Sequence, residues 1–283
     1  MKNYLAINQQ ILKEWGDEFE RRGHDRNLFS EDGIMYKGVI RRDMCNHWVR
    51  HPSDPVTFEK ENKLWDAAPL RILFLSKEQY IGDQAAYESN MTSFHNERAE
   101  LEDNRLTSVI FLRRMAWSLY GLSKSTPSAV VPFDDVYGHD TEVLQCVDEL
   151  PFAWINCKKE GGGAACSNAA LIDAMNEYKD YLVKQIRNVD ADIIICCGHK
   201  EGLKNSTGNL ILDFLKNNMF NLEYAGNDYQ DLWYDKVTNK LAIDSWHPSA
   251  RVSHEAFYHY IVETYQRFIH DHPSFAESHR VGE

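Results

Sequence analysis

The stretch RILFLS, residues Arg71–Ser76, is a short continuous apolar run that begins two residues after Pro69. Such a run is typical of a strand that is buried on both faces of a sheet. Three further runs of the same kind follow along the chain: FAWINC (Phe152–Cys157), DIIICCG (Asp192–Gly198) and KLAIDSW (Lys240–Trp246). The pattern predicts four central strands.

Helical patterns lie between and after these strands. They cover Arg105–Tyr120, Ala169–Asn188, Asn209–Asn217 and Glu255–His270. Apolar strands that alternate with helices indicate right-handed crossovers and a parallel sheet covered on both faces. We therefore predict an α/β fold, a three-layer α/β/α sandwich around a short, mainly parallel four-stranded sheet.

Outside this pattern, Tyr4–Arg22 has apolar residues at near-helical spacing and predicts an amphipathic helix packed on the main body. We divide the chain into an N-terminal helical extension, 1–68, and an α/β/α domain, 69–283. The segments Asn221–Ala225 and Asp231–Asp235 flank a Gly-Asn-Asp turn, which predicts a β-hairpin that leads into the last strand. The polar segment Gln79–Asn104 predicts a long loop or lid.

Composition limits the function. The 283 residues include 31 Lys and Arg against 43 Asp and Glu, a formal charge of −12, which excludes a protein that coats nucleic acid by bulk charge. No apolar run approaches the ~20 residues of a membrane helix, and the polar N-terminus is unlike a signal peptide, so we expect a soluble, cytoplasmic protein with no membrane partner.

The six cysteines are expected to be reduced, and four of them lie in or beside apolar runs. Cys45, His47 and His51 could together ligate zinc, but no second pair follows at the spacing of a zinc finger. We therefore expect ordinary surface residues there and no metal site.

Ligands of open parallel sheets bind at the carboxyl ends of the strands. Basic residues follow all four predicted strands, namely Lys77, Lys158, Lys159, Lys200 and Arg251. A local basic face in an acidic protein suits an anionic, phosphate-bearing ligand. The alternative is that these side chains end buried strands for the sake of solubility.

A carboxylate, an amide and an imidazole also follow three of the strands. Glu78 could activate a water or offset positive charge, Asn156 could read the edge of an amide-like base, and His247 could donate to an oxygen that becomes anionic. The alternatives are a solvated charge, a turn former and a turn in which Ser249 caps a following helix.

These residues resemble the active-site motifs of the uracil-DNA glycosylase superfamily. Ile72–Tyr80 resembles the strand and Gly-Gln-Asp-Pro-Tyr motif of that family, Ile155-Asn156 its base-reading asparagine, and Ile243–Ser249 its His-Pro-Ser motif. The resemblance covers about Arg71–Arg251 discontinuously. Ser76 and Gln79 stand where the family has Gly and Pro, the acid is Glu in place of Asp or Asn, and Ala250-Arg251 replaces a final Pro-Leu.

The resemblance implies a divergent DNA glycosylase that hydrolyses the N-glycosidic bond of uracil or a related damaged base, with DNA as partner and no cofactor. By position in the motifs, the implied catalytic residues are Glu78 and His247, the base-recognition residues Asn156 and Tyr80, and the phosphate- and DNA-binding residues Lys77, Lys158, Ser249 and Arg251. Two alternatives stay open: a hydrolase of free nucleotides or nucleosides, which the acidic composition favours, and a non-catalytic nucleic-acid or nucleotide sensor.

Overall fold

The computed structural model describes residues 2–35, 40–42, 48–50, 55–80, 110–163, 166–199, 208–225 and 231–279. The helices are α1 (Tyr4–Arg21), α2 (Pro55–Ala67), α3 (Ile110–Lys124), α4 (Asp140–Glu149), α5 (Asn168–Glu177), α6 (Lys179–Val189), α7 (Leu210–Asn218), α8 (His254–Asp271) and α9 (Pro273–His279). The strands are β1 (Gly33–Met35), β2 (Ile40–Arg42), β3 (Trp48–Arg50), β4 (Ile72–Tyr80), β5 (Phe152–Gly162), β6 (Ile193–His199), β7 (Glu223–Tyr224), β8 (Leu232–Asp235) and β9 (Lys240–Trp246).

One seven-stranded sheet in the order β1-β5-β4-β6-β9-β8-β7 organises the chain. Its central strands β5, β4, β6 and β9 are parallel and correspond to the four predicted apolar runs. The prediction of an α/β fold around a mainly parallel sheet is confirmed, but the prediction of four strands is wrong. Strand β1 adds to one edge and the β7–β8 hairpin to the other, all antiparallel.

The predicted count of four strands is too low because it leaves out the three antiparallel strands at the edges of the sheet. Strand β1 has three residues and β7 has two, too few to show an alternation of apolar and polar residues. The hairpin was expected next to the last strand, and β8 indeed pairs with β9 from Leu232 opposite Ile243 to Asp235 opposite Lys240. Strands β2 and β3 form a separate two-stranded ribbon.

Two central strands are longer than their apolar runs. Strand β4 continues to Tyr80 and β5 to Gly162, and they stay paired across an irregularity between Glu78 and Tyr80. Gln79 and Tyr80 therefore belong to a strand instead of the expected loop, and the rest of that loop, 81–104, lies outside the described residues. So do Cys45, His47, His51 and Lys200.

The predicted helix Ala169–Asn188 is two helices, α5 and α6, that meet at Tyr178. Tyr178 leaves the helical conformation at φ −112° and ψ 25°, and its buried ring lies beside Trp15 and Phe19 of α1. The break thus places an aromatic side chain under α1, which periodicity along the chain does not reveal.

Helices cover both faces of the sheet. Along β4, Ile72 and Phe74 face the core shared with α3, α4 and α8, whereas Leu73 and Leu75 face the core shared with α1, α5, α6 and α7. Alternate side chains of a strand point to opposite faces, so a run buried on both faces is apolar throughout. Strand β1 brings the N-terminal region into the sheet itself.

The amino ends of the parallel strands carry an ion-pair network. Arg71 donates to the buried Asp192 twice, from Nη2 to Oδ1 at 2.8 Å and from Nε to Oδ2 at 3.2 Å. Lys240 Nζ lies 3.4 Å from Oδ1 of the same carboxylate. This network stabilises the edge opposite the carboxyl ends, where the candidate site lies.

Candidate functional site

The candidate site lies at the carboxyl ends of β4, β5, β6 and β9. Ser76 and Asn156 are register partners on β4 and β5, and Glu78 and Lys158 are partners two residues further along. The sequence placed these residues after the strands, but the longer pairing keeps them within the sheet. Their positions are therefore set by β-ladder geometry instead of by loop conformation.

His247 follows β9 and is enclosed. Its Nδ1 accepts the Ser249 backbone N–H at 3.2 Å, so the ring proton resides on Nε2. Phe111 of α3 lies 5.3 Å from the imidazole between ring centroids, and Phe111 in turn lies 5.0 Å from Trp154 of β5. Burial, together with the positive charge of Lys77, lowers the pKa of His247 to about 4. The imidazole is thus neutral near pH 7 and presents an N–H donor.

Arg114 holds the loop that carries His247. This α3 side chain is 3% exposed, and its guanidinium donates to the carbonyl oxygens of Pro248 at 2.9 Å, Ala250 at 2.8 Å and Val252 at 2.5 Å. It also donates to Nδ1 of His254 at 3.1 Å. An arginine with several carbonyl acceptors fixes a backbone turn, because each donor of its planar fork has one direction. Sequence reasoning did not identify Arg114.

Glu78 and Lys158 form a mostly buried ion pair. The Lys158 Nζ lies 2.8 Å from Glu78 Oε2, with 13% and 8% of the two side chains exposed. Gly162 makes this arrangement possible, because a Cβ added there would lie 2.7 Å from Glu78 Oε2. Burial, then the Glu78 carboxylate, raise the pKa of the nearby Cys166 thiol to about 11. The predicted acid and one predicted phosphate ligand therefore neutralise each other.

Asn156 is 1% exposed and is bound to Asp32, which precedes β1. One carboxylate oxygen of Asp32 accepts both the Asn156 backbone N–H at 2.8 Å and the side-chain Nδ2 at 3.2 Å. The amide oxygen Oδ1 is buried and has no hydrogen-bond partner among the described residues. Asp32 also pairs with the buried Lys159, so this lysine, part of the expected basic face, contacts the interior.

The other predicted residues are more open. Ser249 and Arg251 are exposed on the loop after β9, and Lys77 is half-buried near His247. The Tyr80 backbone pairs with Gly162, and its side chain lies outside the described part of the chain. The structure thus joins Glu78 to Lys158 and His247 to Ser249, with the positive charge of Lys77 close to His247.

A second polar cluster lies beside this site, at the ends of β6 and β9. Asp244 accepts from Asn209 Nδ2 at 2.7 Å and lies 3.2 Å from Nδ1 of His199. Burial raises the pKa of Asp244, although Asn209 and His199 oppose this, and burial also raises the pKa of Asp231 nearby. Asn209 caps α7 by accepting the N–H groups of Ile211 and Leu212. The cluster therefore fixes the start of α7 against β9.

Over the described ranges, no group of three or more His, Cys, Asp or Glu side chains is placed to hold a metal ion. No helix in the same ranges is long and apolar enough to cross a membrane. No protein-family model, curated protein or solved structure matches the chain.

Proposed function

We propose that the protein is a divergent DNA glycosylase with a uracil-DNA glycosylase-like α/β/α fold, which hydrolyses the N-glycosidic bond of uracil or a related base. The observation that carries the proposal is His247: a neutral imidazole whose Nδ1 accepts a backbone N–H, whose ring lies beside Phe111, and which is close to the positive charge of Lys77. Such a donor suits a base that leaves as an anion.

Cleavage of the bond develops positive charge on the sugar and negative charge on the base. His247 Nε2–H would donate to the base oxygen, and the Lys77 charge would add to that stabilisation. The Glu78 carboxylate, held by Lys158, would offset the sugar charge. The unpartnered Oδ1 of Asn156 would accept a ring N–H of the base.

The exposed residues of the loop after β9 would contact the DNA. Ser249 would bind a flanking phosphate, and Arg251 would fill the gap that an extruded nucleotide leaves in a duplex. Tyr80 would stand beside the base, as its motif position implies. No cofactor is needed for any of these steps.

Uracil excision from labelled oligonucleotides tests the proposal. Wild-type protein is incubated with single- and double-stranded substrates that carry one uracil, and abasic sites are cleaved with alkali. His247→Gln and Glu78→Gln should each reduce strand scission by at least about 100-fold. His270→Gln is the matched control. Helix α8 begins at His254, just after the loop that carries His247, and His270 lies 16 residues further along it, about 24 Å from that end of the helix. Excision that is absent in the wild type, or that persists in His247→Gln, contradicts the proposal.

A hydrolase of free nucleotides or nucleosides is the second candidate. The formal charge of −12 favours it, as does the engagement of Lys158 with Glu78, because a small substrate needs no long basic groove. The salt dependence of binding distinguishes the two candidate functions. The affinity for an oligonucleotide falls steeply as the salt concentration rises, whereas the affinity for an uncharged nucleoside does not. Release of base from nucleosides but not from oligonucleotides would favour this candidate.

A further inference from the structure

We infer that Asp32 is a positioning residue that fixes the amide of Asn156 in one orientation and so selects bases that present a ring N–H. The inference rests on the proposed function of Asn156 and adds the group that determines its specificity. Asp32 comes from the N-terminal region, outside the motifs that suggest the glycosylase, and neither charge nor spacing in the sequence indicates it.

A carboxylate decides which way the amide faces, because it only accepts hydrogen bonds. Oδ2 of Asp32 accepts from the Asn156 backbone N–H and from Nδ2, so the amide NH2 must face Asp32. The amide oxygen then faces away, buried and with no partner among the described residues. A buried acceptor without a donor destabilises the empty site, and a ligand N–H that binds it would supply the missing hydrogen bond.

The Asp32 carboxylate is itself held in place. Its Oδ1 binds Lys159 Nζ and accepts Gln185 Nε2 at 3.0 Å, while Asn8 Nδ2 donates to its backbone oxygen at 2.8 Å. These partners lie on β5, α6 and α1. The contacts from β5 and α6 hold the carboxylate itself, and the contact from α1 holds the backbone that carries it. Together they oppose rotation of the carboxylate and therefore a flip of the Asn156 amide.

The ligand class follows from the donor that Oδ1 requires. Uracil presents N3–H and hypoxanthine presents N1–H, whereas cytosine and adenine present an unprotonated ring nitrogen at the same edge. Against the buried Oδ1, that nitrogen would place two acceptors face to face. The site should therefore favour bases with a ring N–H, by about 1–3 kcal/mol or 5- to 150-fold.

Free bases test the inference independently of catalysis. Calorimetric titration of the wild-type protein with uracil and with cytosine should show the preference for uracil. Because a single change at Asp32 would leave the buried Lys159 charge unpaired, the variants carry Lys159→Met as well. Asp32→Asn/Lys159→Met keeps an acceptor oxygen for Asn156 and should keep the preference. Asp32→Ala/Lys159→Met frees the amide and should reduce it to less than about threefold.

Urea unfolding of each variant establishes that it folds; if the alanine variant does not, Asp32→Ser/Lys159→Met replaces it, since the shorter hydroxyl cannot reach the amide. Equal affinity of the wild type for the two bases overturns the inference, and so does an unchanged preference in the alanine or serine variant. Uracil excision is measured separately. A protein that prefers uracil through Asp32 but excises nothing would refute the glycosylase and leave the positioning role intact.

Discussion

The burial of His247 should make the protein less stable in acid. In the unfolded chain this imidazole takes up a proton near pH 6.5, whereas burial and the Lys77 charge lower its pKa to about 4 in the folded state. Between these values the unfolded chain binds more protons, so acidification favours unfolding. From about pH 7.5 to about pH 4.5, this group alone should reduce the free energy of unfolding by about 2.5 kcal/mol.

Urea titration of the wild type and His247→Gln at both pH values measures this contribution. Other histidines and carboxylates titrate in the same range, but their effects cancel when the pH-dependent losses of the two proteins are compared. The variant should lose about 2.5 kcal/mol less than the wild type. His270→Gln, at a position where 67% of the side chain is exposed, controls for the removal of one imidazole. If His247→Gln and the wild type lose the same stability on acidification, the reasoning about the enclosed imidazole is wrong.

Arg114→Met should lower the free energy of unfolding by about 3 kcal/mol in urea, because three loop carbonyls lose their donor, whereas Arg187→Met, at an exposed position of α6, should cost less than about 1 kcal/mol. Equal losses would contradict the role of Arg114 as the residue that holds the loop. Gly162→Ala should displace the Glu78 carboxylate and slow uracil excision at least about tenfold, while Gly163→Ala, whose added Cβ meets no described atom within 4 Å, should leave the rate unchanged. Asp192→Asn should cost about 1–3 kcal/mol near pH 7 without affecting excision. Burial would raise the pKa of Asp192, but the Arg71 hydrogen bonds and charge lower it below its usual value. Its contribution is therefore lost as pH falls through the folded-state pKa, and the difference in stability between the two proteins should shrink as the solution is acidified below about pH 3.8.

The sequence predicted the centre of the fold better than its edges. Buried parallel strands are apolar throughout, so Ile193–His199 and Lys240–Trp246 could be located within a residue or two. Strand β1 could not be located, because three residues are too few to show a hydrophobic periodicity and its partner strand β5 lies about 120 residues away in the sequence. The sequence also places the ends of β4 and β5 too early, because polar residues such as Glu78 and Lys158 are typical of loops even though here they are paired within the sheet.

The residues of the candidate site divide in the same way. His247 and Asn156 could be proposed because each stands at the end of an apolar run. Arg114 could not, because an arginine within a helix usually reaches solvent, and its acceptors are backbone carbonyls that leave no mark in a sequence. Asp32 was missed for a similar reason: its partners Asn156 and Lys159 are 124 and 127 residues away. Long-range polar contacts of this kind appear only once the chain is folded.

The buried Asp32–Lys159 pair also restricts how this sequence can change over evolutionary time. Loss of either charge alone leaves the other in the interior, at a cost of about 3–5 kcal/mol, a large part of the stability of most domains. A neutral pair can therefore be reached only through an unstable intermediate. Among related sequences, positions 32 and 159 should vary together, and a pair that has lost both charges and the acceptor oxygen at position 32 should also have changed the residue at position 156.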